Sequence, residues 1–162
     1  MKQFMICSLK QFKSLLLAGK VNTDKSYALI SSSYPLDMTN IPMARYSFEL
    51  YDDIDYDWLG RCFSFEAAKH FADAIKNNND VNRWYFICDG GVRRSAAIAA
   101  AALRYWGDEE EELAIWADPR REPNVLVYEM LCSVLKPIDA VDLDLRIYIN
   151  RNAIKQAMRK EN

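Results

Sequence analysis

The chain has 162 residues, 51% of them hydrophobic and 27% charged, and a formal net charge of −2. That is enough chain for one domain with a sizeable core, and too near neutrality for any global pull toward nucleic acid or an anionic membrane. Cys7, Cys62, Cys88 and Cys132 are scattered, with no C-x-x-C pair and no Cys/His cluster. This excludes a recognisable zinc site or disulfide framework and suits a reducing, cytoplasmic compartment. No stretch approaches 18 uninterrupted apolar residues, so neither a membrane span nor a secretory leader is expected.

In chain order, Phe4 to Cys7 is a short apolar strand. Ser8 offers an N-cap to a helix whose Leu9, Phe12, Leu15 and Leu16 recur at helical spacing up to Gly19. Ser26 to Ser31 reads as a second strand and Ala44 to Tyr51 as a third, running into an acidic segment from Asp52 to Asp57. Ser64 starts a helix with Ala67, Ala68, Phe71, Ala72 and Ile75 on one face. Trp84 to Ile87, apolar throughout, reads as a strand buried on both sides. From Ser95 to Tyr105 runs a small-residue helix closed by Gly107. Asp108 caps a short acidic helix to about Trp116, whose Glu109 to Glu112 run reads as a dipole-favoured N-terminal face. Pro119 to Pro123 is a turn, and Asn124 to Leu135 a further helix broken by Pro137. A final amphipathic helix, about 139–160, begins at Asp139 or Asp142 as an extension. Strand–helix alternation followed by helices implies a single α/β domain over residues 1–162, in three layers, with a central, mainly parallel sheet flanked by helices.

The most informative segment joins the buried strand to the small-residue helix: Cys88-Asp89-Gly90-Gly91-Val92-Arg93-Arg94-Ser95. A loop leading into a helix N-terminus gathers backbone N–H groups into an anion nest, and the helix dipole favours negative charge there. Glycines let the backbone turn tightly, and a Cβ there is expected to crowd a ligand. A cysteine at the mouth of such a nest is placed as a nucleophile, and Arg94 supplies a planar fork for two anionic oxygens. Thiolate, oxyanion cradle and guanidinium clamp are the parts required for phosphoryl transfer through a cysteinyl-phosphate.

This segment resembles the loop of the cysteine-dependent protein tyrosine phosphatase superfamily, His-Cys-x-x-Gly-x-x-Arg-Ser/Thr. Cys88, Gly91, Arg94 and Ser95 fall on its Cys, Gly, Arg and Ser/Thr positions, while Ile87 stands where the family has histidine. The short chain and Ala-rich helix resemble the small dual-specificity branch, including bacterial and phage-type members. Pro123-Asn124-Val125-Leu126-Val127-Tyr128 resembles the Pro-Asn-x-x-x-Tyr stretch of such proteins. The resemblance extends from about Tyr46 to Leu135. It implies a phosphotyrosine phosphatase-like fold and a phosphoric monoester hydrolase that needs no cofactor or metal, acting on a phosphorylated protein or a small phosphomonoester.

The resemblance assigns Cys88 as nucleophile and Arg94 as clamp. Asp89, Gly90, Gly91, Val92, Arg93 and Arg94 line the phosphate, and Ser95 donates to the Cys88 sulfur or caps the helix. Asp89 is expected to turn its carboxylate to solvent, away from a phosphate it would repel, and Arg93 to point outwards. The family's general acid is an aspartic acid on a neighbouring loop. Candidates are Asp52, Asp53, Asp55 and Asp57. Strand exit and an Asp-Ile pair favour Asp53, while linear spacing favours Asp57. Tyr34, Tyr51, Tyr56 and Trp58 are candidates for the pocket wall, and His70, the only histidine, reads as a partly exposed helix residue.

Two other functions fit parts of this pattern. Cys88 to Arg93 has the Cys-x-x-Gly-x-Arg spacing of rhodanese-type sulfurtransferases. Ile87 in place of histidine suits a pseudophosphatase that binds phosphorylated partners without turnover. The sequence specifies neither the substrate nor the oligomeric state.

Overall fold

The computed structural model describes residues 1–55 and 60–162. Four strands form one sheet: β1 (Gln3–Ser8), β2 (Ser26–Ser32), β3 (Tyr46–Leu50) and β4 (Arg83–Cys88), in the order β1-β4-β2-β3. Every pairing is parallel, with Ser8 opposite Cys88 and Ile30 opposite Ile87. Among the described residues six α-helices accompany the sheet: α1 (Leu9–Leu17), α2 (Phe65–Asn77), α3 (Arg94–Trp106), α4 (Glu109–Ala117), α5 (Val125–Leu135) and α6 (Ala140–Lys160). The α/β class, the all-parallel sheet and the flanking helices are as the residue pattern implied. Among the described residues, no helix is long and apolar enough to cross a membrane.

Alternation along β4 divides the core. Trp84 and Phe86 face a large cluster built with α2, α3 and α5, whereas Tyr85 and Ile87 face a smaller one with Phe12 of α1, Ile41 and Met43. β4 is therefore apolar on both faces because both faces are covered. The alanines of α3 are fully or almost fully buried and let that helix lie close to the sheet. Helix starts are set by side-chain caps at Ser8, Ser64, Asp108, Asn124 and Asp139. Ser8 and Gln11 form a reciprocal capping box. Gly107 adopts φ +82° and closes α3, a backbone geometry that strains residues bearing a Cβ.

The Glu109–Glu112 run forms the first turn of α4, as the residue pattern implied, and Glu112 within it is buried. It accepts hydrogen bonds from the Tyr128 hydroxyl and from Arg146 of α6, at 2.7 and 3.2 Å for the arginine. The C-terminal helix α6 is docked on the domain. Leu143 joins the main core, and Asn150 donates to the carbonyls of Trp116 and Arg121 at 2.9 and 2.8 Å.

Candidate active site

The carboxyl ends of all four strands converge on the 88–94 loop, where open parallel sheets hold ligands. β4 delivers Cys88, β1 ends at Ser8 behind the loop, β2 leads into Ser33, and β3 leads into Tyr51, Asp52 and Asp53. Cys88 Sγ lies 3.1 Å from Ser95 Oγ and accepts a hydrogen bond from the Gly91 N–H at 3.2 Å. In the neutral state the thiol proton is shared toward Ser95. With a thiolate, the hydroxyl turns round and donates to sulfur. Ser95 is the second residue of α3 and does not cap it: Arg93 holds the cap position and makes no side-chain cap bond.

The loop is held by its carbonyls. Arg121 Nη1 donates to the Gly91 carbonyl, the Glu122 N–H to that of Val92 at 3.2 Å, and the Asn124 N–H to that of Arg93 at 3.2 Å. A trans, planar peptide points its N–H opposite its C=O. This strut at 121–124 therefore directs the N–H groups of Val92, Arg93 and Arg94 away from itself, and none meets an acceptor among the described residues. Such an array of unfilled donors is an anion nest. Arg121 also reaches the Ile6 carbonyl at 3.2 Å.

Gly91 is required here for a reason other than ligand crowding. Its φ is +66°, and a Cβ would stand 2.4 Å from the Ser8 nitrogen and 2.6 Å from the Cys7 carbonyl carbon. The glycine thus lets the loop seat against the β1–α1 junction. Gly90 has open space around it.

Arg94 is 5% exposed. Its Nη1 donates to Ser33 Oγ at 3.0 Å and to the Tyr51 carbonyl at 2.8 Å, and its Nη2 to Asp89 Oδ2 at 2.9 Å. Its Nε is buried without a partner. Asp89 does not turn to solvent as expected. Its carboxylate also accepts from Ser32 Oγ at 2.7 Å and from the Ser33 N–H at 2.9 Å. Burial works against its charge, but these two donors and Arg94 outweigh it and hold the Asp89 pKa below the ordinary carboxylate value. Tyr51 is no pocket wall: its ring is buried under the Arg94 guanidinium and its hydroxyl meets Ser31 Oγ at 2.7 Å. Tyr34 is exposed, one residue beyond Ser33.

Arg93 turns toward the acidic segment and not outwards. Its Nη2 lies 2.5 Å from Asp55 and its Nη1 3.6 Å from Asp53. Asn124, which caps α5 through its Oδ1, uses its Nδ2 to donate to Asp53 Oδ1 at 2.8 Å and to the Ile54 carbonyl at 3.1 Å. Asp52 pairs with Arg61 at 3.2 Å, and Arg61 spans to the Ser33 carbonyl at 2.6 Å. Of the aspartate candidates, Asp53 and Asp55 thus stand beside the loop and Asp52 is tied to Arg61. Asp57, Tyr56 and Trp58 lie outside the described residues. His70 sits far along α2 and meets Glu49 at 2.6 Å.

Sequence reasoning missed Arg121 and Asn124 as site residues. The Pro123-Asn124 pair, next to a helix start, was the available signal, since an N-cap asparagine retains a free amide donor. Arg121 left no signal, because nothing local to it encodes a contact 30 residues away. No family model, no curated protein and no solved structure matches the chain.

Proposed function

We propose that the protein is a cysteine-dependent phosphomonoesterase of the small dual-specificity, phosphotyrosine phosphatase-like type, working in the cytoplasm without a cofactor. The observation that carries this reading is the donor count on Arg94. A guanidinium has five N–H donors; Ser33, Tyr51 and Asp89 take three. The Nε–H and one Nη2–H remain, the pair needed for a two-oxygen anion. They belong to a buried side chain in the same loop as the Cys88 thiol and the unfilled N–H groups.

In this reading Cys88 attacks phosphorus as the thiolate, forming an S–P bond as the P–O bond to the leaving group breaks. Asp53, positioned by Asn124, gives its proton to the departing oxygen. Arg94 and the loop amides hold the equatorial oxygens as charge develops. Water then attacks phosphorus, Asp53 takes its proton, and the S–P electrons return to sulfur, where the Ser95 hydroxyl donates to the thiolate. The sulfurtransferase alternative would need Arg93 as the anion clamp; Arg93, like Arg94, is engaged by carboxylates and keeps a buried Nε without a partner, so a thiosulfate assay separates the two readings.

The test is hydrolysis of para-nitrophenyl phosphate, with EDTA present, by the wild type and by Cys88→Ser. Turnover by the wild type that the substitution abolishes supports the reading. Folded wild type with no turnover from acid to neutral pH overturns it, and thiosulfate and phosphopeptide assays then decide between the sulfurtransferase and a phosphoprotein-binding pseudophosphatase.

A further inference from the structure

We infer that Asp89 is a positioning residue that aims the Arg94 fork at the anion while opposing the anion's binding. This rests on the phosphatase reading above and extends it to a residue with opposite effects on binding and turnover.

Asp89 stands next to Cys88 in the chain, so it lies at the edge of the nest and not remote from it. Its carboxylate is a three-donor hub: Ser32 Oγ on Oδ1, and the Ser33 N–H and Arg94 Nη2 on Oδ2. Two of these come from the end of β2, a rigid central strand. The hub therefore references the guanidinium to the sheet. Tyr51 and Ser33 fix Nη1 of the same group, so the plane of the fork is set from both ends. What remains without a partner is the buried Nε. Loss of Asp89 releases one end, and the plane can rotate about the Nη1 contacts.

The same carboxylate is charged and close to the site where a phosphate would sit. It cancels much of the Arg94 charge at short range, and Arg93 is similarly engaged by Asp55 and Asp53. A pocket whose two arginines each face a carboxylate attracts a dianion less than the arginines alone would. Alignment gains from Asp89 and affinity loses. These act on different constants, because alignment counts in the transition state and the charge opposes ground-state binding as well.

The experiment compares wild type, Asp89→Asn and Ser32→Ala by thermal melting, by kcat and KM for para-nitrophenyl phosphate, and by calorimetric titration with inorganic phosphate. Asp89→Asn is expected to lower kcat by about tenfold to a hundredfold while binding inorganic phosphate several-fold more tightly. Ser32→Ala keeps the charge and loses one anchor, so its kcat falls less and its phosphate affinity stays at the wild-type level. Unchanged kcat in Asp89→Asn overturns the inference, as does a kcat loss accompanied by weaker phosphate binding and a lower melting temperature, the mark of a purely structural role. The titration needs no turnover. If the wild type binds phosphate but does not hydrolyse the ester, the catalytic reading fails. Asp89 is then judged by affinity alone: tighter binding in Asp89→Asn supports the opposing role, and equal or weaker binding overturns it.

Discussion

Among the described residues, two of the arginine–carboxylate pairs have a buried arginine, Arg94–Asp89 and Arg146–Glu112, and they are built to different degrees of completion. Arg146 sends Nε and Nη2 to the two oxygens of Glu112 and Nη1 to the Asp142 carbonyl, while the Tyr128 hydroxyl adds a further donor to Glu112. Every nitrogen of that guanidinium is used. Arg94 is as deeply buried, yet its pair with Asp89 leaves Nε without a partner. A buried donor left unfilled costs stability that a purely structural pair need not lose. The closed pair is a fastener between α4, α5 and α6. The open one, on the proposed function, is a socket.

Breaking each pair should therefore hurt different properties. The largest effect is expected from Glu112→Ala, which strands a buried guanidinium. It should lower stability by about 3–5 kcal/mol in chemical denaturation, whereas the double change Glu112→Leu with Arg146→Met should recover most of that loss. Next comes Arg94→Lys, which keeps the charge but removes the fork. It should reduce kcat/KM for para-nitrophenyl phosphate by roughly 100- to 1,000-fold, the range for loss of an oxyanion donor, with a much smaller change in melting temperature. A stability loss in Arg94→Lys equal to that in Glu112→Ala would erase the distinction.

Asn124→Ala tests whether the socket has a second wall. It should lower stability by about 1 kcal/mol through loss of the α5 cap, and lower kcat more than KM through release of Asp53. Asn124→Ser, which restores a cap oxygen without the amide donor, should recover stability and not kcat. The smallest effect concerns acid. The folded pKa of Asp89 is depressed, so its contribution to stability is present above the ordinary carboxylate value and is lost as pH falls through the folded value. Wild type should thus lose stability on acidification with a steeper slope than Asp89→Asn, measured by denaturant titration at a series of pH values.

What was legible in the sequence is what local physics encodes. The Ser8 N-cap, the doubly covered β4, the alanine helix and its Gly107 terminus each follow from residues within one turn or one strand. The order of residues around Cys88 likewise made the nest legible, because loop and helix start are contiguous. The partners across the fold were not legible. Asp89 was expected to face water on the argument that its charge repels a phosphate. That argument lacked the Ser32 hydroxyl and Ser33 N–H, supplied by a strand 57 residues away. Glu112 was read as one of four similar acids, and only its position against Arg146 singles it out. Gly91 was read as making room for a ligand, when the atoms it makes room for belong to β1.

That seat for Gly91 has a consequence for how the protein comes into being. The loop rests on the backbone at Cys7 and Ser8, is braced by Arg121, and Arg121 is in turn held by Asn150 of α6. The site's frame thus draws on both ends of the described chain. A nascent chain halted before α6 would carry Cys88 and Arg94 but lack the Asn150 brace, and helices formed early would be waiting on contacts of long sequence separation. Anion binding at the loop would then report completion of the whole domain, and a ligand that binds only the finished frame would stabilise every segment that contributes to it.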